Sequence, residues 1–340
     1  NLPEPTVVPS EHFNTVTYSS STSPLSITGV GFQPDLVWAK SRSTADWHAL
    51  VDVTRGTSNT VFSNDTNAEL NISSVTSFDT DGFTVGSNAT VNEQVSTQTY
   101  VAWNWKANGT GVSNTNGTIA STVSANADAG FSIVSYTGTG SAATVGHGLS
   151  KAPELIIAKN RGHSADWAVG GNVIGSWSDK TLELNNTVAT VTDSNIFGAD
   201  PTTSLFTIGT SWKTNRSGYN HIAYCFHSVD GYSKVGSYEG NSSDDGTFVY
   251  CGFRPKFILM KNVDGATQDW YIFDTERETY NIVDDYLRPN LSNAETNYSA
   301  GALDIVSNGF KLRKNNAEWN TATPIFYAIA ESPFKYTNAR

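Results

Sequence analysis

One phrase occurs three times in this chain, and it constrains the fold more than any bulk property does. The first copy runs Gly31-Phe32-Gln33-Pro34-Asp35-Leu36-Val37-Trp38-Ala39-Lys40, with Asp46-Trp47 shortly after. It returns as Lys151-Ala152-Pro153-Glu154-Leu155-Ile156-Ile157-Ala158-Lys159, followed by Asp166-Trp167. The third copy is Gly252-Phe253-Arg254-Pro255-Lys256-Phe257-Ile258-Leu259-Met260-Lys261, followed by Asp269-Trp270. Pro precedes Lys by six positions each time. The run between them is apolar at consecutive positions, so as a strand it offers apolar side chains to both faces and belongs in the middle of a sheet. A phrase repeated in this way predicts three units of roughly 100 residues, each able to bury a core.

The stretches around the phrase support an all-β reading. Short apolar runs alternate with turn residues at near-regular spacing, as in Phe13–Tyr18, Ser26–Val30, Phe83–Val85 and Tyr100–Lys106, which points to antiparallel sandwiches or barrels. In Tyr100-Val101-Ala102-Trp103-Asn104-Trp105 the period of two places Val101, Trp103 and Trp105 on one face. No window carries a 3.6-residue apolar stripe long enough for a major helix. The expected division is an extended leader over residues 1–12, rich in Pro3, Pro5 and Pro9; a first sandwich over 13–107; an Asn/Ser/Thr/Gly-rich linker over 108–129; a divergent second sandwich over 130–230; and a third over 231–340. With little chain between them, the second and third units are expected to meet more tightly than the first and second.

Charge narrows the partners. The formal net charge is −11, and such a field disfavours phosphate backbones and anionic membranes, so no nucleic-acid partner is expected. No stretch approaches the ~20 apolar residues of a membrane helix, and membrane insertion is not expected. Cys225 and Cys251 are too few for a disulfide framework and sit in apolar runs, so they read as buried free thiols, with a bridge as the alternative.

Units one and three share further phrases: Asp52-Val53-Thr54-Arg55 with Asp274-Thr275-Glu276-Arg277, and Asn67-Ala68-Glu69 with Asn293-Ala294-Glu295. The Asp-x-x-Arg spacing suits a local ion pair pinning a turn. Lys40, Lys159 and Lys261 end buried runs, where a snorkelling or carboxylate-paired lysine is ordinary.

The pairs Asp46-Trp47, Asp166-Trp167 and Asp269-Trp270 are the candidate ligand-binding residues. An indole face offers an apolar plate to a pyranose, and a neighbouring carboxylate fixes its orientation; the competing reading makes each Trp the cap of a sandwich core. Asp79 with Asp81, and Asp244 with Asp245, place hard oxygen ligands on turns that calcium could use, although Asp-Gly is first of all a turn signal. No cofactor is otherwise implied. Signatures of metalloproteases, serine hydrolases and phosphate-binding loops do not occur. Asp274, Glu276 and Glu278 lack the spacing of concanavalin-like glucanases, so no catalytic residues are expected.

Taken together, Gly31–Lys40, Tyr100–Ala107, Gly130–Arg161, His221–Asn241, Phe248–Asn262, Trp270–Arg277 and the closing Ala330–Arg340 resemble the repeat-bearing virion structural proteins of marine tailed phages of cyanobacteria and pelagic bacteria. These are tail-fibre-like proteins with concanavalin A-like domains of unknown function. The resemblance implies three tandem jelly-roll sandwiches on the virion surface. It also implies contacts with other virion proteins and with host cell-surface glycans or proteins, and a homo-oligomer, trimeric if the part is a fibre. The favoured function is an exposed appendage binding the host by many weak contacts. Capsid decoration or a spacer is the alternative, and a glycan-degrading enzyme a third.

Overall fold

A computed structural model describes residues 7–94, 97–265 and 267–333 of the chain. Residues 1–6 of the expected leader and 334–340 of the closing phrase lie outside the described residues. The fold is all-β, 43% strand and 3% helix. Its helical elements are the turns Pro9–Glu11, Ala89–Asn92 and Trp212–Asn215. Among the described residues no helix is long and apolar enough to cross a membrane.

Three stretches of chain each build a larger antiparallel sheet and a smaller one. In the first, the order is Phe13–Ser19, Thr99–Trp105, Leu36–Ser41, Ala49–Asp52, Asn59–Phe62 and Leu70–Asn71, with Leu25–Thr28, Gly82–Val85 and Val75–Asp79 forming the smaller sheet. In the second, Phe131–Thr137, Asn220–Phe226, Leu155–Asn160, Ala168–Gly171, Lys180–Glu183 and Val191–Thr192 follow the same order, and Ala143–Gly146 pairs with Leu205–Ile208. In the third, Ser233–Ser237, Pro324–Pro333, Phe253–Asn262 and Trp270–Asp274 do so, with Phe248–Tyr250, Gly309–Leu312 and Leu303–Val306 as the smaller sheet. The repeated phrase therefore pairs each time with the closing strand. Equivalent residues meet in the three copies: Trp38 opposite Trp103, Ile157 opposite Tyr224, Leu259 opposite Tyr327.

Why the phrase is apolar on both faces is now evident. Val37 and Ala39, Ile156 and Ala158, and Ile258 and Met260 face the core between their own two sheets. The alternate residues, Leu36 and Trp38, Leu155 and Ile157, Phe257 and Leu259, all enter one further core common to the three units. The larger sheets thus face one another around a shared centre, and the smaller sheets lie outside. Aromatic contacts cross every junction: Trp105 to Phe257 at 5.7 Å, Trp105 to Phe131 at 6.4 Å, and Phe226 to Tyr327 at 4.8 Å. At ~1.5–3 kcal/mol for each large apolar side chain removed from water, this centre stabilises the assembly of units as well as each unit. The expectation of a looser first-to-second join gives way accordingly, because the first unit packs on both others and the chain closes on itself.

The segment read as a linker is also ordered. Val112–Asn114 and Ser121–Asn126 add two strands to the edge of the second large sheet, the latter paired with Phe131–Thr137. From this segment Ile119 and Val123 enter the second unit's own core and the small Ala129 the common one, so small and polar residues suffice elsewhere and the composition imitates a linker.

Lys40, Lys159 and Lys261 are fully buried, not snorkelling and not carboxylate-paired. They share the parity that points to the common centre and end it by donating to backbone carbonyls. Lys159 Nζ reaches Ala165 O at 2.6 Å and Thr66 O of the first unit at 2.8 Å. Lys261 reaches Gln268 O at 2.6 Å and Thr187 O of the second at 3.3 Å, and Lys40 reaches Ser41 O and Thr44 O. Desolvation pulls all three down to about 8.

Buried imidazoles make the fold acid-sensitive. Desolvation holds His48 well below 6.5 and brings His147 and His221 down to about 4. In His221 the Nδ1–H donates to Tyr219 O while Nε2 accepts from the Arg216 N–H, so a second ring proton would face a donor. The unfolded chain binds these protons more readily, so the stability is present above pH 6.5 and is lost as pH falls toward 4. Each fully linked histidine costs about 1.4 kcal/mol per pH unit. Urea unfolding should show a lower midpoint at pH 5 than at pH 7, with a shallower fall in His221→Gln; a flat profile over that range would contradict this.

Candidate functional site

The repeated Asp-Trp pairs are brought to the junctions, not to loop tips. Trp167 and Trp270 are fully buried, and each indole N–H crosses into the preceding unit: Trp167 Nε1 donates to Phe62 O at 2.8 Å, Trp270 Nε1 to Glu183 O at 2.9 Å. Asp166 and Asp269 accept from Asn185 and Asn290, whose side-chain oxygens accept the Trp167 and Trp270 backbone N–H groups. Burial excludes both pairs as sugar platforms. Trp47 differs: it is 37% exposed and lies on Phe62, with ring centroids 4.7 Å apart. In the first unit Trp38 instead sends its Nε1–H to His48 Nδ1 at 3.2 Å, while the Asp46 N–H donates to Ser292 O of the third unit.

The calcium candidates are occupied by the protein. Asp81 accepts from the Gly29 and Gly31 N–H groups, and Asp79 from the Thr84 hydroxyl. Asp244 and Asp245 pair with Lys314 and Lys311, which lower their pKa. Glu278, Asp284 and Asp285 bring carboxylate oxygens close together, but Glu278 accepts two backbone N–H groups and Asn297 donates to both aspartates. Of the residues weighed for catalysis, Asp274 is fully buried in an ion pair. Cys225 and Cys251 are free and buried.

Two junctions carry buried ionic networks of the same design. Asp52 pairs with Arg55 at 2.5 Å; Arg55 continues to Glu69, and Glu69 to Arg161 of the second unit. The Tyr224 hydroxyl, also from the second unit, donates to Asp52 at 2.8 Å. Where the third unit meets the first, Asp274 pairs with Arg277 at 2.6 Å, Arg277 with Glu295, and Glu295 with Arg42, while Trp103 Nε1 donates to Asp274 at 3.0 Å. Burial opposes the Arg55 charge, yet Asp52 and Glu69 outweigh it and hold the guanidinium above its ordinary pKa. Matching backbone bonds mark all three junctions: Glu69 N to Arg161 O, Glu295 N to Arg42 O, and Thr190 N to Val263 O. At the third junction Gly171, Ile174 and Val263 stand in the place of the ions, and Ile174 and Val263 join the common core.

What the units do not share is an exposed aromatic patch on the second. Trp212 is 51% exposed at the start of the turn Trp212–Asn215. Its ring lies 5.3 Å from His163, which is 6.1 Å from Tyr219. The Arg216 guanidinium sits 4.5 Å from the Tyr219 centroid and 5.9 Å from that of Trp212. The support is stiff. Buried Asn215 donates to Ser141 O and Gly209 O and accepts from Thr139 N, and Asn160 Nδ2 donates to Trp212 O at 2.7 Å. The sequence reading missed this patch. A signal was present: Asn88-Ala89-Thr90-Val91-Asn92, Ser211-Trp212-Lys213-Thr214-Asn215 and Asn316-Ala317-Glu318-Trp319-Asn320 are equivalent turns, with buried Asn92, Asn215 and Asn320. Trp212 replaces an alanine.

An open groove of about 800 Å³ also lies on the second unit, lined in part by Lys151, Glu154, Trp177, His227 and Asp230. Its Glu154 carboxylate is taken by the Ser228 N–H and hydroxyl. Neither the curated proteins nor the solved structures contain a match to this chain. Residues 8–333, spanning all three units, match the family described as Domain of unknown function (DUF7483), and the chain belongs to that family.

Proposed function

We propose that the protein is a non-enzymatic component of a phage virion surface, part of a tail fibre or other exposed appendage, that contacts host glycans through the Trp212 patch. Each unit is read as a jelly-roll sandwich of the concanavalin A-like kind, and the virion setting rests on the resemblance of the repeated phrases. The observation that carries the binding role is Trp212, a half-exposed indole held by a rigid turn where the two sister turns have Ala89 and Ala317. A large aromatic kept in water contributes nothing to the core and offers a flat apolar face to a ligand. Because the patch occurs once among the described residues, avidity comes from several copies on one particle, not from the internal repeat.

A second reading, capsid decoration or a spacer, is favoured by a different surface. Phe248 and Tyr250 point outward from one strand of the third unit at 46% and 57% exposure, and another virion chain would cover them.

The test applies labelled protein to a glycan array and to bacterial cells. Wild-type binding should fall about tenfold or more in Trp212→Ala, the loss of one aromatic contact, and stay unchanged in Tyr250→Ala. No wild-type binding to either, together with binding to another virion protein that Tyr250→Ala abolishes, would replace the attachment reading with decoration.

A further inference from the structure

We infer that the Trp212 patch takes a carboxylate-bearing pyranose in preference to a neutral one, an inference that rests on reading the patch as a sugar site. The cations around the patch are not equivalent. Arg161 is bound by Glu69, and Lys213 by Glu183 and Asp166. Arg216 is the exception: among the described residues no carboxylate lies within ion-pairing distance of its guanidinium, in a chain of net charge −11. It is held instead by rings. Its place over the Tyr219 ring, 4.5 Å from the centroid, holds the guanidinium without neutralising it, and its planar fork of N–H donors matches a carboxylate two bonds at a time.

The surroundings are shaped to keep that arrangement. Tyr219 follows Gly218, whose φ of +77° closes the turn from Arg216, and the Tyr219 N–H donates to Arg216 O at 3.2 Å. A Cβ at Gly162 would lie 2.6 Å from Tyr219 Cδ1, so only glycine admits the ring that carries Arg216. His163 donates its Nδ1–H to Ser164 O at 2.7 Å, which leaves Nε2 to accept from a hydroxyl. Trp212 supplies the plate for the C–H face of the ring, Arg216 the partner for its carboxylate, and His163 an acceptor for a hydroxyl. One carboxylate suits one guanidinium.

The experiment compares hexuronate oligosaccharides with neutral glucans of equal length by ligand-observed NMR at low salt. The acidic series should bind about tenfold tighter. Arg216→Gln should erase that preference while retaining neutral-sugar binding, and Trp212→Ala should lose both; the melting temperatures of the variants should match wild type. Equal affinity for the two series, or a preference that survives in Arg216→Gln, overturns the acidic-sugar inference and leaves the glycan reading standing. No binding of either series overturns both.

Discussion

Asp274→Ala is expected to cost about 3–5 kcal/mol of unfolding free energy, because it leaves the Arg277 guanidinium buried without its closest carboxylate. Arg277 has no side-chain exposure, and Glu295, its second partner, is shared with Arg42. The same substitution removes the acceptor of the Trp103 indole N–H. The chain itself contains the apolar solution, since Gly171 and Ile174 occupy the equivalent place in the second unit with no ion pair. Asp274→Ala with Arg277→Ile should therefore be more stable than Asp274→Ala alone, a non-additivity that a double-mutant cycle in urea reads directly. Single and double variants of equal stability would mean that Arg277 finds water or another partner, and that the network matters less than its burial suggests.

The same residue in the same repeated phrase should give opposite results at two positions. Trp270→Ala removes a fully buried indole from the common core and orphans the Glu183 carbonyl, so a loss of about 3–5 kcal/mol is expected. Trp270→Phe keeps most of the volume and should lose about 1–2 kcal/mol, the share of the hydrogen bond and the residual gap. Trp47→Ala, at a site already 37% exposed, should change stability by less than about 1 kcal/mol. Because the three units share one centre, Trp270→Ala should shift a single unfolding transition. An independent early transition confined to the third unit would argue that the common core couples the units weakly.

These contrasts locate what could be read in advance. The Asp-x-x-Arg pairs were legible because three residues of spacing suffice to build them, whatever the rest of the chain does. The burial of Cys225 followed from its apolar run. The fate of the three tryptophans was not legible, since it depends on neighbours brought from other units: Phe62 and Glu183 offer carbonyls to Trp167 and Trp270, while Trp38 and His48 pair with each other beside Trp47. Lys159 and Lys261 were misread for a related reason, as the carbonyl of Thr66 or Thr187 that helps hold them in place is remote in sequence. Trp212 was overlooked because an exposed aromatic has no periodicity to announce it.

By itself the sequence determined the β class and the strand that the repeated phrase forms, because alternation, turn residues and a repeated phrase act over a few residues. A strand apolar on both faces states only that both faces must be covered. The identity of the cover is a long-range matter. The tertiary structure decided that one face of Leu36–Ser41, Leu155–Asn160 and Phe253–Asn262 belongs to its own sandwich and the other to a centre shared by all three. It decided too that the third unit closes on the first, since burying three apolar faces against one another removes more surface from water than three separate units can.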